Sequence, residues 1–107
     1  MQLERLYPPW LVYILAMVHR DKGEFDKSIA VAREAIKLEP KDLSSKLVLC
    51  SAHALKEERT NAKNVAEEII RDQPAFQLSD YMNSLHYRDP AKTEEIAKTL
   101  RDAGLPD

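Results

Sequence analysis

The chain has 107 residues, of which 44% are hydrophobic and 32% charged, and its formal net charge is −2. A chain of this length forms one small domain. Its acidic and basic residues are interspersed, so no basic stripe is available to neutralise phosphates, which argues against nucleic-acid binding. Two glycines and abundant helix-forming residues, without any alternating β-branched run, predict an all-α fold.

The ends and apolar runs of the chain argue against membrane association. The longest apolar run covers residues 10–18, well short of the roughly 20 residues that a membrane-spanning helix needs. The N-terminus also lacks the basic start and cleavage site of a secretory signal. We therefore expect a cytoplasmic protein. The abrupt passage from residues 1–7 into Pro8 and Pro9 suggests that a longer protein was cut at this point.

The first half of the chain predicts a pair of helices. The first should run from about residue 9 to residue 22, is apolar nearly all the way round, and needs cover on more than one side. Gly23 should end it, because glycine readily takes a left-handed closing conformation. The second helix, near residues 24–38, has an apolar stripe that includes Phe25 and Ile29, and it ends before Pro40.

A second pair of helices should follow. The third helix is expected over residues 43–55, with Lys46 and Lys56 exposed to solvent. Thr60 or Asn61 is the expected cap of the fourth helix, whose apolar residues have the spacing of one buried stripe. That helix should end before Pro74.

The C-terminal part breaks this pattern. Residues 78–85 can form only a short helix, and residues 86–88 are expected to link it to a last helix. Asp89 is a good cap for that helix, with Pro90 at its first position, and Gly104 should end it.

Pro40 and Pro74 lie 34 residues apart, and the two 34-residue units that they close resemble the tetratricopeptide repeat. The shared positions hold Leu15 and Leu49, Ala16 and Cys50, and Ser28 and Ala62, whereas Gly23 and Ala35 match the pattern in the first unit only. The aromatic and tyrosine positions depart from it, with Val12 and Lys46, His19 and His53, and Ala32 and Ala66. The resemblance implies an α–α superhelix with a lead-in at residues 1–8, repeats at 9–42 and 43–76, and a degenerate third unit with a capping helix at 77–107.

The tail carries a second, shorter likeness. Residues 85–91 and 100–106 look like the extreme C-terminus of bacterial multidomain proteins in which a nucleotide cyclase or DNA-binding domain precedes a tetratricopeptide array. This likeness implies a fragment of a larger bacterial signalling or regulatory protein.

In tetratricopeptide domains the first helix of each pair lines a concave groove that binds a partner. The resemblance assigns to this groove Trp10, Tyr13, Met17, Arg20 and Asp21 from the first repeat, and Ser44, Leu47, Ser51, Ala54 and Leu55 from the second. Tyr13 and Met17 stand where domains that bind acidic chaperone tails carry Lys and Asn, which argues against a carboxylate clamp. An apolar groove instead favours a peptide or an amphipathic helix.

Two functions remain open at this stage. One is a protein–protein interaction module that binds a partner through the groove. The other is self-association, in which the first helix packs against a second copy and gives a homodimer of a linked cyclase or DNA-binding domain. The alternative to a partner site is a purely structural role, in which Trp10 and its neighbours only pack against a preceding repeat.

The sequence predicts no catalytic, cofactor-binding or metal-binding residues. Cys50 is expected to be a small core residue. His19 and His53 hold the same repeat position, and we expect core histidines rather than metal ligands, because no further ligands have suitable spacing. His86 near Asp89 could be read as an acid–base pair, but no nucleophile accompanies it. We therefore expect a protein that is not an enzyme.

Overall fold

The computed structural model describes residues 8–84 and 90–107, and each regular element within these ranges is an α-helix. The helices are α1 (Pro9–Asp21), α2 (Phe25–Leu38), α3 (Leu43–Leu55), α4 (Arg59–Asp72), α5 (Leu78–Ser84) and α6 (Pro90–Asp102). The all-α prediction is confirmed, and the packing of successive helices is compatible with an α–α superhelix. The predictions for the link at residues 86–88, for the Asp89 cap and for the His86–Asp89 pair lie outside the described residues.

The first four helices repeat with a period of 34 residues. The bounds of α3 are those of α1 shifted by 34, and the bounds of α4 are those of α2 shifted by 34. The turns inside the two pairs also make equivalent backbone hydrogen bonds: the N–H of Glu24 donates to the His19 carbonyl at 2.9 Å, and that of Glu58 to the His53 carbonyl at 2.9 Å. The period read from the prolines is therefore also a period of the backbone.

Each of these turns contains a residue in the left-handed region. Gly23 has φ of +81°, as predicted for the residue that ends α1. The equivalent residue in the second pair is Glu57, with φ of +67°. A side chain at positive φ brings Cβ close to the backbone, so the second turn carries a conformational cost that the first avoids.

The helix starts differ in how they are capped. Asp42 precedes α3, and its carboxylate accepts hydrogen bonds from the Ser44 backbone N–H at 3.3 Å and from the Ser45 hydroxyl at 2.6 Å. The prediction that Thr60 or Asn61 caps α4 is wrong. That helix already begins at Arg59, because the backbone repeats the α1–α2 turn and places Glu58 at the cap without a side-chain cap bond.

Helix α3 lies at the centre of the fold and packs against α1, α2, α4 and α6. On one side of it, α1 and α2 form a cluster with its residues Val48, Leu49 and Ala52. On the other side, α4, α5 and α6 form a second cluster around Leu47 and Cys50. As a result, residues 45–53 of α3 are all buried.

The prediction that Lys46 is exposed is therefore wrong. Its ammonium group lies 2.5 Å from the Asp72 carboxylate and 3.3 Å from that of Glu68, both on α4. Burial disfavours the charged form, but the two carboxylates outweigh this effect and raise the pKa of Lys46. The lysine stays charged inside the α3–α4 contact. Lys56 is exposed, as predicted.

The C-terminal helices close the side of α3 that faces away from α2. Ile96 and Leu100 of α6 are buried in the same cluster as Leu47 and Ile69. Past α6 the chain turns at Gly104, and the Pro106 carbonyl accepts a hydrogen bond from the backbone N–H of Leu78 at 2.8 Å. Helix α6 lies where the capping helix was expected, and the tail holds the start of α5 against it; the role of α6 as a repeat cap stays a prediction.

We expect Glu57→Gly to raise the free energy of unfolding by about 0.5–1 kcal/mol. Removing Cβ relieves a left-handed cost of about 1–2 kcal/mol, which is partly offset by the extra freedom of glycine in the unfolded chain. Gly23→Ala is the matched opposite change and should lower stability by about 1 kcal/mol. Urea titration followed by circular dichroism measures both. A Glu57→Gly variant less stable than the parent would contradict this account of the turn.

Candidate interaction surface

The structure separates the predicted groove residues by exposure. Trp10 is the most exposed of them, with 63% of its surface accessible, while Tyr13, Met17, Ser44 and Leu55 are partly buried. Arg20, Leu47 and Ser51 are fully buried. In this conformation the groove therefore offers a partner mainly its α1 end. The role of these residues in partner binding stays a prediction.

The C-terminal helices contact several of the predicted groove residues. Tyr81 of α5 interacts with Tyr13 of α1 through their side chains, and burial raises the pKa of the Tyr13 phenol. The Lys92 ammonium group of α6 donates to the backbone carbonyl of Asp21 at 3.4 Å. Together with the packing of α6 on Leu47, these contacts place α5 and α6, which we call the C-terminal unit, against the predicted groove residues. No local sequence signal indicates these contacts, because Tyr81 and Lys92 lie outside the repeat pattern.

Beneath this cover, Arg20 joins the two repeats. One guanidinium nitrogen, Nη1, donates to the Ser51 hydroxyl at 3.0 Å, and Nε donates to the Asp21 carboxylate at 3.1 Å. The Ser51 hydroxyl in turn donates to the Val48 carbonyl at 2.9 Å. A buried charge is tolerated only when it is paired and hydrogen-bonded. Arg20 therefore acts as a structural link between α1 and α3 in this conformation.

A second apolar surface, which we call the edge face, lies on α1 and consists of Trp10, Leu11, Ile14 and Val18. Val18 is 44% exposed, and Leu11 and Ile14 are partly exposed. The last three correspond in α3 to Ser45, Val48 and Ala52, all of which are buried; the two apolar ones lie in the α1–α2–α3 cluster. The edge face is thus the surface that would contact a preceding helix, and no described residue fills that place.

The edge face is also uncharged. Residues 8–18 contain no Asp, Glu, Lys or Arg. Exposed apolar residues are ordinary when scattered, but a contiguous apolar patch marks an interaction site more often than a solvated surface. The only sign of this face in the sequence was the nearly uniform apolarity of the first helix, which could not say which side would stay uncovered.

His19 and His53 make the same contact in both repeats. Nδ1 of His19 lies 2.9 Å from the Glu24 carboxylate, and Nδ1 of His53 lies 2.8 Å from that of Glu58. Because a carboxylate can only accept, Nδ1 is the donor in each pair. The hydrogen bond from histidine is the main reason that the pKa of Glu24 and that of Glu58 are lowered. The histidines are half-buried and buried, as predicted, and they tie each first helix to the turn after it.

Cys50 is a core residue, as predicted. Its thiol donates to the Ala62 carbonyl at 3.4 Å, and burial raises its pKa to about 12. In the first repeat the arrangement is reversed, because the Ser28 hydroxyl of α2 donates to the Ala16 carbonyl of α1 at 2.7 Å. The thiol is therefore a structural group with very little thiolate character.

A further cavity is lined by charged side chains of both signs. A cavity of about 630 Å³ lies between the start of α4 and the end of α6, and its lining mixes Arg59 and Lys63 with Glu57 and Asp102 around alanines. Within residues 8–84 and 90–107, no group of three His, Cys, Asp or Glu side chains is placed to hold a metal ion. Over the same residues, none of the helices combines the length and apolarity required to cross a bilayer.

Comparison with known proteins adds no relative to this picture: no family model, curated protein or solved structure matches the sequence. The resemblance to tetratricopeptide repeats therefore rests on the residues at the 34-residue period. It stays a prediction.

We expect Glu58→Gln to weaken the acid sensitivity of folding. The folded pKa of Glu58 lies below the ordinary value of 4.5, so the pair stabilises the fold above pH 4.5 and its contribution disappears as pH falls through the lowered folded pKa. The variant should be less stable than the parent at pH 7, and the difference should shrink at pH 3. Urea unfolding at both pH values measures this.

Glu24→Gln in the first repeat should behave in the same way, since Glu24 makes the equivalent contact. Glu67, which is exposed on α4 and makes no described hydrogen bond, supplies the control variant Glu67→Gln. Equal stability differences at pH 7 and pH 3 for Glu58→Gln would show that the ionised pair contributes nothing.

Proposed function

We propose that this chain is a non-catalytic protein–protein interaction module of two tetratricopeptide-like repeats, which binds an apolar helix or peptide of a partner. The observation that carries the proposal is the edge face. Its residues Leu11, Ile14 and Val18 are accessible, whereas their counterparts in α3 are covered by a helix. An apolar, uncharged strip at a repeat end fits the apolar stripe of an amphipathic helix.

The partner site proposed here includes only part of the groove. A ligand in the groove would reach Trp10, Tyr13 and Met17, but Leu47 is buried against the C-terminal unit and Ser51 is buried against Arg20. Trp10 borders both surfaces and is the residue type that most often dominates binding energy. We therefore place the contact at the exposed end of α1, with Trp10 as its anchor.

Helix α2 indicates the chemistry of the expected ligand. It packs against α3, and a stripe of small and aliphatic residues that includes Ile29, Ala32 and Ala35 lies in the cluster that the two helices share. A partner helix with a similar stripe has the shape and polarity to lie on α1. Charged side chains would remain on its outer side, as Lys27 and Arg33 do on α2.

A peptide with the sequence of residues 25–38 tests the proposal. Added to the isotopically labelled chain, it should shift the NMR signals of Trp10, Ile14 and Val18, with saturation in the high-micromolar range because the contact is small. A scrambled peptide is the first control. Val18→Glu should weaken binding at least tenfold, whereas Ala30→Glu, on the exposed side of α2, should not change it.

Shifts confined to the C-terminal unit, or no shifts at any peptide concentration, would contradict the placement of the site on α1. Shifts at Leu47 and Leu55 that exceed those at Val18 would return the site to the groove.

A further inference from the structure

We propose that the occupant of the edge face is a second copy of this chain, with α1 packed antiparallel against α1 of the partner around a twofold axis at Ile14. The inference rests on the proposed function, since it names the partner of the same surface. It follows from the position, charge and side-chain sizes of the edge face.

The position of Ile14 suits a twofold axis. It lies one helical turn from Trp10 on one side and one turn from Val18 on the other, so all three residues occupy one side of α1. In an antiparallel pair centred on Ile14, Trp10 of one copy meets Val18 of the other at both ends. A twofold interface needs this property, because the same patch must complement itself.

The side chains also fit in size. The large, 63% exposed indole of Trp10 would lie against the smaller Val18, which is 44% exposed, while Ile14 meets its own copy at the centre. Each contact between Trp10 and Val18 covers the two most exposed large apolar residues of α1 at once. A large group opposite a small one is the arrangement that packs two helices closely.

The charges favour a copy of the same chain as well. Pairing identical surfaces around a twofold axis brings a charged residue at the axis against its own copy, at a cost in free energy. Residues 8–18 carry no charged side chain, and the first charged residue after them, Arg20, is buried against Ser51. The edge face can therefore meet itself without repulsion, whereas the outer sides of α2 and α4 carry many charges.

Mass and tryptophan emission measured on the same samples test the inference. The chain has a single tryptophan, Trp10, so its fluorescence reports on the surroundings of this one residue of the edge face. Between about 1 µM and about 1 mM, which spans weak protein interfaces, the mass should rise from 12.3 kDa towards twice that value. The emission should move to shorter wavelength over the same range, as the indole leaves water.

Two variants locate the interface. Ile14→Glu should remain monomeric over the whole range and retain its helicity, because Ile14 is only partly buried. Ala30→Glu, on the exposed side of α2, should dimerise like the parent. Ile14→Cys should form an intermolecular disulfide on mild oxidation, since residues on a twofold axis between packed helices come within disulfide range. Lys37→Cys, exposed on α2, should not.

The parent chain is the background control, because its buried Cys50 should give no cross-link. A monomer at every concentration would overturn the inference. If such a monomer still bound the peptide of residues 25–38 at the edge face, the proposed function would stand with a different partner. A dimer that survives Ile14→Glu, or Ile14→Cys that fails to cross-link, would place self-association elsewhere.

Discussion

The structure depends on the burial of α3 on every side. Nine consecutive residues of this helix are buried, and four of them are polar or charged: Ser45, Lys46, Ser51 and His53. Each buried polar group needs a hydrogen-bond partner, or its desolvation destabilises the fold. The partners come from the residue before α3, from α4, from α1 and from the turn after α3. Polar pairing therefore connects the same elements that the apolar clusters pack together.

The two repeats show how a neighbouring helix changes the exposure of equivalent residues. Val48 and Ala52 of α3 are covered by the preceding pair, and their counterparts Ile14 and Val18 of α1 are not. The covered residues are the smaller ones of each pair. The accessible ones are larger and still apolar, although polar residues would be favoured at a position that always faces water. The apolar character of these accessible residues is the main physical reason to regard the edge face as a contact surface.

Much of the helical architecture could be predicted from the sequence. The bounds of α3 and the left-handed Gly23 followed from local signals, namely proline spacing, apolar periodicity and the conformational freedom of glycine. Lys46 was misplaced because its burial depends on two carboxylates of α4, one of them 26 residues away. The α4 cap was misplaced because the repeated turn decided the start of that helix, although Thr60 and Asn61 have better capping side chains.

The candidate site was harder to predict than the fold. A repeat pattern tells which residues of α1 and α3 share a side, but the path of α5 and α6 depends on tertiary packing that has no local signature. That packing buries Leu47 and leaves Trp10 accessible. The exposure of the predicted groove residues therefore depends on where the C-terminal unit packs, which the repeat pattern does not tell.

The apolar surfaces at the two ends of the repeat pair are covered differently. Stacked helical repeats leave an apolar surface at each end, which needs a cap or a partner. At the C-terminal end, α6 packs Ile96 and Leu100 into the cluster with α3 and has charged residues such as Glu95 and Lys98 on its outer side. Helix α1 has no such polar outer side around Ile14. Association through α1, as proposed above, would cover the edge face, whereas the polar outer side of α6 stays in water.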